Sequence, residues 1–279
     1  MTTAHDWTGK IGDVWAQEWR RTDRSFAALA PHLNAAILAA APSETRTIID
    51  IGCGAGATSI ATAQALPGAQ ITGIDLSPSL IATARHRTEA QPNASFRCAD
   101  ITAVAPEHAP VDLYASRHGV MFFADPAVAF TILANAASPG AALVFSCFAE
   151  RAANVWATEI VGATGGDTAA PESTTPGPFA FSNPPHVAEV LDAAGWHTTE
   201  PQRIDFAYRA GQGADPVADA VDYFRRIGPA ASLIRDAAPE ERDMHVARLT
   251  QVCERHRIGD AVDFPAAAWI WTARKAGIA

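Results

Sequence analysis

The sequence predicts an α/β architecture: a doubly wound, mostly parallel sheet of about seven strands plus helical lid insertions. Three observations carry that expectation. Short apolar, β-branched-rich runs alternate with helical segments through the first half of the 279 residues. The first strand-like run, Ile48 to Ile51, passes straight into the glycines Gly52, Gly54 and Gly56. The next such run ends in a carboxylate, Asp75.

Taken in order, Thr47 to Ile51 reads as a buried strand and Ala57 to Leu66 as the helix after the glycine turn, closed by Pro67-Gly68. Gln70 to Asp75 is a second strand. Ser77-Pro78 supplies an N-cap and a first-turn proline, opening a helix over Ser79 to Arg87. Ala94 to Cys98 and Val111 to Ala115 are the third and fourth strands. Asp125-Pro126 repeats the cap-and-proline device before a helix through Ala137, and Pro139-Gly140 leads into a fifth strand, Ala141 to Phe148. Such alternation places helices on both faces of a parallel sheet.

Beyond residue 150 the pattern changes. Residues 151–182 are rich in Ala, Thr, Gly and Pro, including Pro171, Pro176 and Pro178. Val187 to Ala194 reads as a helix stopped at Gly195, and Gln202 to Tyr208 as a strand. Residues 214–257 are helical with breaks at Gly228-Pro229 and Pro239. Ala267 to Ala273 is the last strand, with Trp269 and Trp271 on one face. The segments 151–182 and 211–262 both leave from the carboxyl rim if the Gln202–Tyr208 strand runs with its neighbours. They then form lids over a mostly enclosed small substrate.

Composition narrows the classes. A formal net charge of −9 argues against nucleic acid, which needs clustered Lys and Arg. Arg20, Arg21 and Arg24 on one helix read as a solvated face. Met1 to Asp6 carries neither a basic nor an apolar leader region, and the apolar stretch Ala35 to Ala41 is too short to span a bilayer. Four cysteines without paired spacing fit a reducing cytoplasm. Metal spacings are lacking, and Asp112 with Asp125 is too thin a set for magnesium.

Glycine at 52, 54 and 56 lets a ligand touch backbone where strand turns into helix, and Asp75 is placed to accept from the hydroxyls of a ribose. An adenosine-containing cofactor follows. The run Gly52 to Ala57 satisfies the G-x-G-x-x-A pattern of dinucleotide folds, so an NAD(P)-dependent oxidoreductase with a Rossmann fold is one reading.

The motifs resemble more closely those of the class I (Rossmann-like) S-adenosylmethionine-dependent methyltransferases. Asp50-Ile51-Gly52-Cys53-Gly54-Ala55-Gly56 matches their first motif, Asp75 the second, Ala99-Asp100-Ile101 the third, and Val111 to Ser116 a fourth segment; Ser138 to Leu143 looks like the turn leading their fifth strand. The resemblance covers about residues 45–150. It implies a late antiparallel strand in the sheet and S-adenosyl-L-methionine as the cofactor. Asp50 would then lie near its ammonium, Asp75 on the ribose and Asp100 on the adenine amino group. Leu76 and Ile101 would pack on adenine, and Ser116 would stand where donor meets acceptor. Asp100 separates the two readings, because a dinucleotide fold needs no carboxylate there.

The acceptor side is less specified. His118 is the candidate base or substrate-orienting group, and Arg117 the candidate anion or carbonyl contact, both on the rim after the fourth strand. Trp15 and Trp19 lie four apart on an expected N-terminal helix, and Trp15 is placed to touch ligand. Phe179, Phe181, Tyr223 and Phe224 could line an apolar pocket, or serve only as core. Asn183-Pro184-Pro185 is similar to a motif of amino-methylating DNA enzymes but falls before a late helix and ends in His186. The expectation is one catalytic domain, 1–279, divided into a helical cap (1–42), a cofactor-binding core (43–150) and the two lids. It methylates O, N or C of a small, partly apolar molecule, with no metal, nucleic acid or membrane partner. A non-catalytic S-adenosylmethionine-binding protein is the alternative from another class. Oligomeric state is left open.

Overall fold

Five apolar runs become parallel strands: β1 (Thr47–Ile51), β2 (Gln70–Asp75), β3 (Ala94–Cys98), β4 (Val111–Arg117) and β5 (Ala137–Phe148). In the computed structural model, which describes residues 7–168 and 174–275, β1 and β5 are buried along most of their length. That is the burial continuous apolar strands require when helices cover both faces. Met1 to Asp6, and Pro171, lie outside the described residues.

The strand order is β3-β2-β1-β4-β5-β9, with β9 (Ala261–Lys275) antiparallel to β5. Beyond β9 lie β6 (Trp196–Thr198) and β7 (Gln202–Gln212), end to end on its free edge. They act as one strand position interrupted before Pro201, so the sheet has the seven positions expected and one extra short pairing. β8 (Arg257–Ile258) folds back on the start of β9.

β9 is fifteen residues long, well beyond the expected Ala267–Ala273. The missed part is legible in retrospect: Val262, Phe264 and Ala266 are buried while Asp263 and Pro265 between them are not, a period-two pattern. β7 likewise continues to Gln212. The second lid segment is therefore helical only from α10 (Pro216–Phe224) through α11 (Pro229–Asp236) to α12 (Pro239–Arg255), and strand at both ends.

Strand direction settles where the insertions leave. β7 is antiparallel to β9 and β9 antiparallel to β5, so β7 runs in the sense of β1–β5. Both insertions depart from the carboxyl rim. Because Phe148, the last residue of β5, pairs with Ala268, residues 261–267 and their β7 partners rise past that rim as a two-stranded wall.

Crossovers from β1 to β2 and from β4 to β5 proceed in opposite directions along the sheet and so place helices on opposite faces. α4 (Ala57–Ala65) packs on one face beside α3 (Ala30–Ala40). α7 (Pro126–Ala136) lies on the other, with α9 (Pro184–Ala193) against it. Local caps agree with the sequence. The Ser77 hydroxyl accepts from Leu80 N at the start of α5 (Pro78–Arg87), and Asp125 accepts from Val128 N at α7.

The N-terminal cap differs from expectation. It is not one helix across both tryptophans: α1 (Lys10–Gln17) and α2 (Trp19–Ser25) are separated at Glu18. α1 packs on α5, and a Cβ at Gly12 would collide with Ser77, so only glycine permits that approach. α2 packs on β7. Arg21 and Arg24 are not a solvated face. Both pair with Asp219 of α10, at 2.9 and 2.6 Å, and Arg21 also meets Glu18 and Asp222.

Candidate active site

The site forms outside the carboxyl ends of β1 and β4, where connections leave in opposite directions and a crevice opens. Gly52 and Cys53 donate backbone N–H to the Ile74 carbonyl, holding the glycine turn against β2. Gly52 has φ +62°, and a Cβ there would lie 2.9 Å from Cα of Gly119, so two chain segments cross at bare backbone. Gly54 has φ +54° and a Cβ built on it meets nothing within 4 Å. That open ground at the loop is the cradle a ligand needs. Gly56 is different: Phe96 occupies the space where its Cβ would point, which makes it a packing glycine.

The three carboxylates occupy successive strand ends. Asp50 on β1 is buried and takes a 2.5 Å hydrogen bond from the Ser59 hydroxyl on Oδ2, while Oδ1 has no partner. Burial pushes its pKa up to about 7, against the opposing pull of the Ser59 bond and the Arg117 charge. Asp75 accepts from Gly54 N at 2.9 Å and from Ser77 N at 2.8 Å, tying the glycine loop to the cap of α5. Burial raises its pKa as well, opposed by those same amide bonds. A carboxylate has about four acceptor positions, so two remain for a ligand's hydroxyls. Asp100 is exposed and caps the short helix Ile101–Val104, accepting from both N and Oγ1 of Thr102. Ile101 is buried at that cap, and Leu76 is half-buried, its carbonyl meeting the Cys98 thiol. The Ser116 hydroxyl donates to the Ile51 carbonyl and accepts from Gly119 N, bracing the ends of β1 and β4.

Arg117 and His118 diverge from the end of β4. Arg117 is held by Asp23 of α2 at 2.8 Å, and the same carboxylate takes Arg87 at 2.8 Å. Arg87 also donates to the Ala55 carbonyl of the glycine turn and stacks 3.9 Å from the Trp19 ring. α2 is thus latched to the glycine turn. Trp15 reaches Phe122 of the loop after β4 through Trp7, with ring centroids 5.7 and 5.2 Å apart along the chain of contacts.

His118 has φ +60°, is buried, and shares a 2.9 Å hydrogen bond between Nδ1 and the Ser146 hydroxyl. Nε2 is buried without a partner. Burial, helped by the Arg117 charge, lowers its pKa to about 3, so the imidazole is neutral at ordinary pH.

The aromatic candidates separate. Phe179 packs on Phe148 and Trp156, at the rim. Phe181, two residues on, packs on Phe130 and Phe145 beneath α7, and its backbone carbonyl meets the Cys147 thiol. It belongs to the core, because Phe145 and Ser146 point to opposite faces of β5. Tyr223 is fully buried, its hydroxyl 3.2 Å from that of Tyr208. Asp23, Phe26, Arg87, Gly119, Ser146, Trp156 and Tyr208 joined the site without being singled out as site residues from sequence. Only Gly119, directly after Arg117-His118, carried a local signal.

A methyltransferase-domain family model matches residues 48–140. A trans-aconitate 2-methyltransferase of Paracidovorax citrulli is 36% identical over 114 residues, 40% of this chain and 39% of that one. A ubiquinone biosynthesis O-methyltransferase of the same organism is 34% identical over 126 residues, 44% and 52% of the two chains. The chain therefore spans at most about half the length of these relatives. Among solved structures, the YcgJ protein of Bacillus subtilis aligns with TM-score 0.55 at 14% identity, covering 88% of this chain and 98% of that one. A Haemonchus contortus phosphoethanolamine N-methyltransferase 2, solved with phosphomonomethylethanolamine and S-adenosylhomocysteine, aligns with TM-score 0.53 at 16% identity, covering 99% and 61%. The fold is that of the class I methyltransferases. Residues 48–140 thus resemble a methyltransferase domain carried on that fold.

Proposed function

We propose that the protein is an S-adenosyl-L-methionine-dependent methyltransferase acting on O, N or C of a small, partly apolar molecule. The observation that carries it is the cradle: open backbone at Gly54 beside a buried, half-partnered Asp50 carboxylate and an Asp75 carboxylate with acceptor capacity to spare. When bound, the cofactor supplies a methyl group activated by a sulfonium.

The chain's own residues bind, orient and exclude water. Asp50 Oδ1 receives the ammonium, and the pairing replaces hydration lost on burial. Asp75 accepts from the ribose hydroxyls while keeping the glycine loop in place. Asp100 offers its remaining oxygen to the adenine amino group, with Leu76 and Ile101 against the ring, and Ser116 holds the floor between donor and acceptor. His118 orients the acceptor through Nε2, Arg117 locks the cap over the site, and Trp15, Phe179 and Tyr223 enclose the acceptor side. Residues 1–42 serve as the cap, 43–150 as the cofactor-binding core, and 151–182 with 211–262 as lids, in one catalytic domain. No helix among the described residues is long and apolar enough to cross a membrane; with the acidic balance, a cytoplasmic enzyme without nucleic acid as substrate fits this reading.

The test is transfer of labelled methyl from S-adenosylmethionine into a small-molecule extract. Labelled product supports the proposal. Tight S-adenosylhomocysteine binding with no product from a broad extract makes the protein a binder.

A further inference from the structure

Six rings from six separate stretches of chain meet at the carboxyl rim. They are Phe26 from the cap, His118 after β4, Phe148 ending β5, Trp156 of α8 (Val155–Ala163), Phe179 of the first lid segment and Tyr208 of β7. His118 packs edge-on against Phe148 at 4.3 Å and lies tilted against Phe26 at 4.8 Å. Trp156 lies 5.2 Å from Phe148 and stacks on Tyr208 at 5.1 Å, with an interplanar angle of 17°. Phe26 stands edge-on to Tyr208 at 5.8 Å. Chain segments this far apart in sequence converge on the end of β5, at the rim that the proposed function gives to the acceptor.

Within this ring set two polar atoms lack partners. His118 Nε2 and Trp156 Nε1 are both buried with no hydrogen bond, on residues only 7% and 5% exposed. A buried polar group left unpaired costs about 1–3 kcal/mol. Two such groups beside the same Phe148 ring constitute an unmet demand for a ligand's oxygens.

The charges around the rings are already spent on one another. Arg117 is paired with Asp23, Arg24 with Asp219, and Arg21 with Glu18, Asp219 and Asp222. Arg151, 4.8 Å over the Phe179 ring, is a single guanidinium facing the cluster. One cation does not neutralise three carboxylates, and burying unpaired charge is costly.

We propose that the acceptor is an uncharged aromatic compound bearing a hydroxyl and a second oxygen substituent, and not a polycarboxylate. This deepens the methyltransferase reading and rests on it. The acceptor ring packs against Phe26, Phe148, Trp156 and Tyr208. His118 Nε2 accepts from the hydroxyl, with Nδ1–H donating to Ser146, and Trp156 N–H donates to the second oxygen. Flat rings on flat rings and two opposite polar handles select by shape and by hydrogen bonding together.

The experiment is calorimetry on the full chain saturated with S-adenosylhomocysteine, titrated with 4-methylcatechol and separately with trans-aconitate. The expected result is saturable binding of 4-methylcatechol at least tenfold tighter than that of trans-aconitate. His118→Asn should weaken 4-methylcatechol at least tenfold, and Trp156→Phe about threefold to tenfold. Both variants should keep S-adenosylhomocysteine affinity within twofold, which also reports that they fold. Equal or tighter binding of trans-aconitate overturns the proposal, as does absence of 4-methylcatechol binding to the loaded wild-type chain, or unchanged affinity in a folded His118→Asn variant. Failure of the underlying methyltransferase reading is distinct, because then S-adenosylhomocysteine itself does not bind.

Discussion

At the scale of the residue, Asp50 and His118 hold opposite unfavourable positions. The carboxyl of Asp50 has a pKa near 7 in the folded chain and 3.8 ordinarily, chiefly through burial. The folded state therefore keeps its proton across the window from about 4 to 7. Its contribution to stability is complete below that window and is lost as pH rises through 7. Asp50→Asn removes the buried charge, so its melting temperature should gain on wild type between pH 5 and pH 8, while cofactor affinity falls. Thermal melts of both proteins at the two pH values check this; a constant difference contradicts it. His118 runs the other way. Its pKa drops from 6.5 to about 3 through burial, so its contribution is full above about 6.5 and is lost as pH falls toward 3. Its left-handed backbone costs on the order of 1–2 kcal/mol in a residue with a Cβ, strain retained at the rim where Nε2 is presented. For Asp75, replacement by Ala should weaken S-adenosylhomocysteine binding by about 1.5–3 kcal/mol, the range for hydrogen bonds to a charged group. Release of Gly54 and Ser77 adds to that loss. Titration of the variant decides it, and unchanged affinity removes Asp75 from the site.

At the scale of the element, caps and strands were legible because their signals are local. Ser77 and Asp125 each sit directly before proline and cap the following helix; Ser77→Ala should cost about 1 kcal/mol in urea melts, the usual value of an N-cap. What joins elements was not legible. Asp23 meets Arg87 and Arg117 across sequence separations of 64 and 94 residues, and no spacing rule reaches that far. Phe179 and Phe181 could not be separated for a similar reason. Their assignment depends on which face of β5 each one meets. Asp75 and Asp100 were read for ligands, whereas each also does local backbone work that a motif does not display. Asp23→Ala leaves two half-buried guanidinium groups without their carboxylate. It should destabilise the chain by about 2 kcal/mol, between the exposed and buried limits for ion pairs. Limited proteolysis should then cut within residues 7–29 of the cap before the sheet. Cleavage no faster than in wild type would show that the cap is held elsewhere, for which the Arg21 and Arg24 pairs with Asp219 are the alternative anchor.

At the scale of the whole molecule, the sheet order was foreseeable because a glycine turn after β1 and a carboxylate ending β2 fix the crevice at the β1/β4 divide. The wall formed by β7 and β9 was not, since only residues 267–273 of β9 were read as strand and its first two residues fell within a stretch read as insertion. A ligand that binds only the folded chain must stabilise it. At a concentration one hundred times its dissociation constant, S-adenosylhomocysteine should add about 2.7 kcal/mol, visible as a rise in melting temperature. The central claim is that carboxylates ending successive strands, with bare backbone between them, hold an adenosyl amino acid and not a dinucleotide. Calorimetric titration of the full chain with S-adenosylhomocysteine, and separately with NAD, tests it most directly. The account predicts saturable one-to-one binding of the first and none of the second at matched concentrations. Tight NAD binding without S-adenosylhomocysteine binding would contradict it.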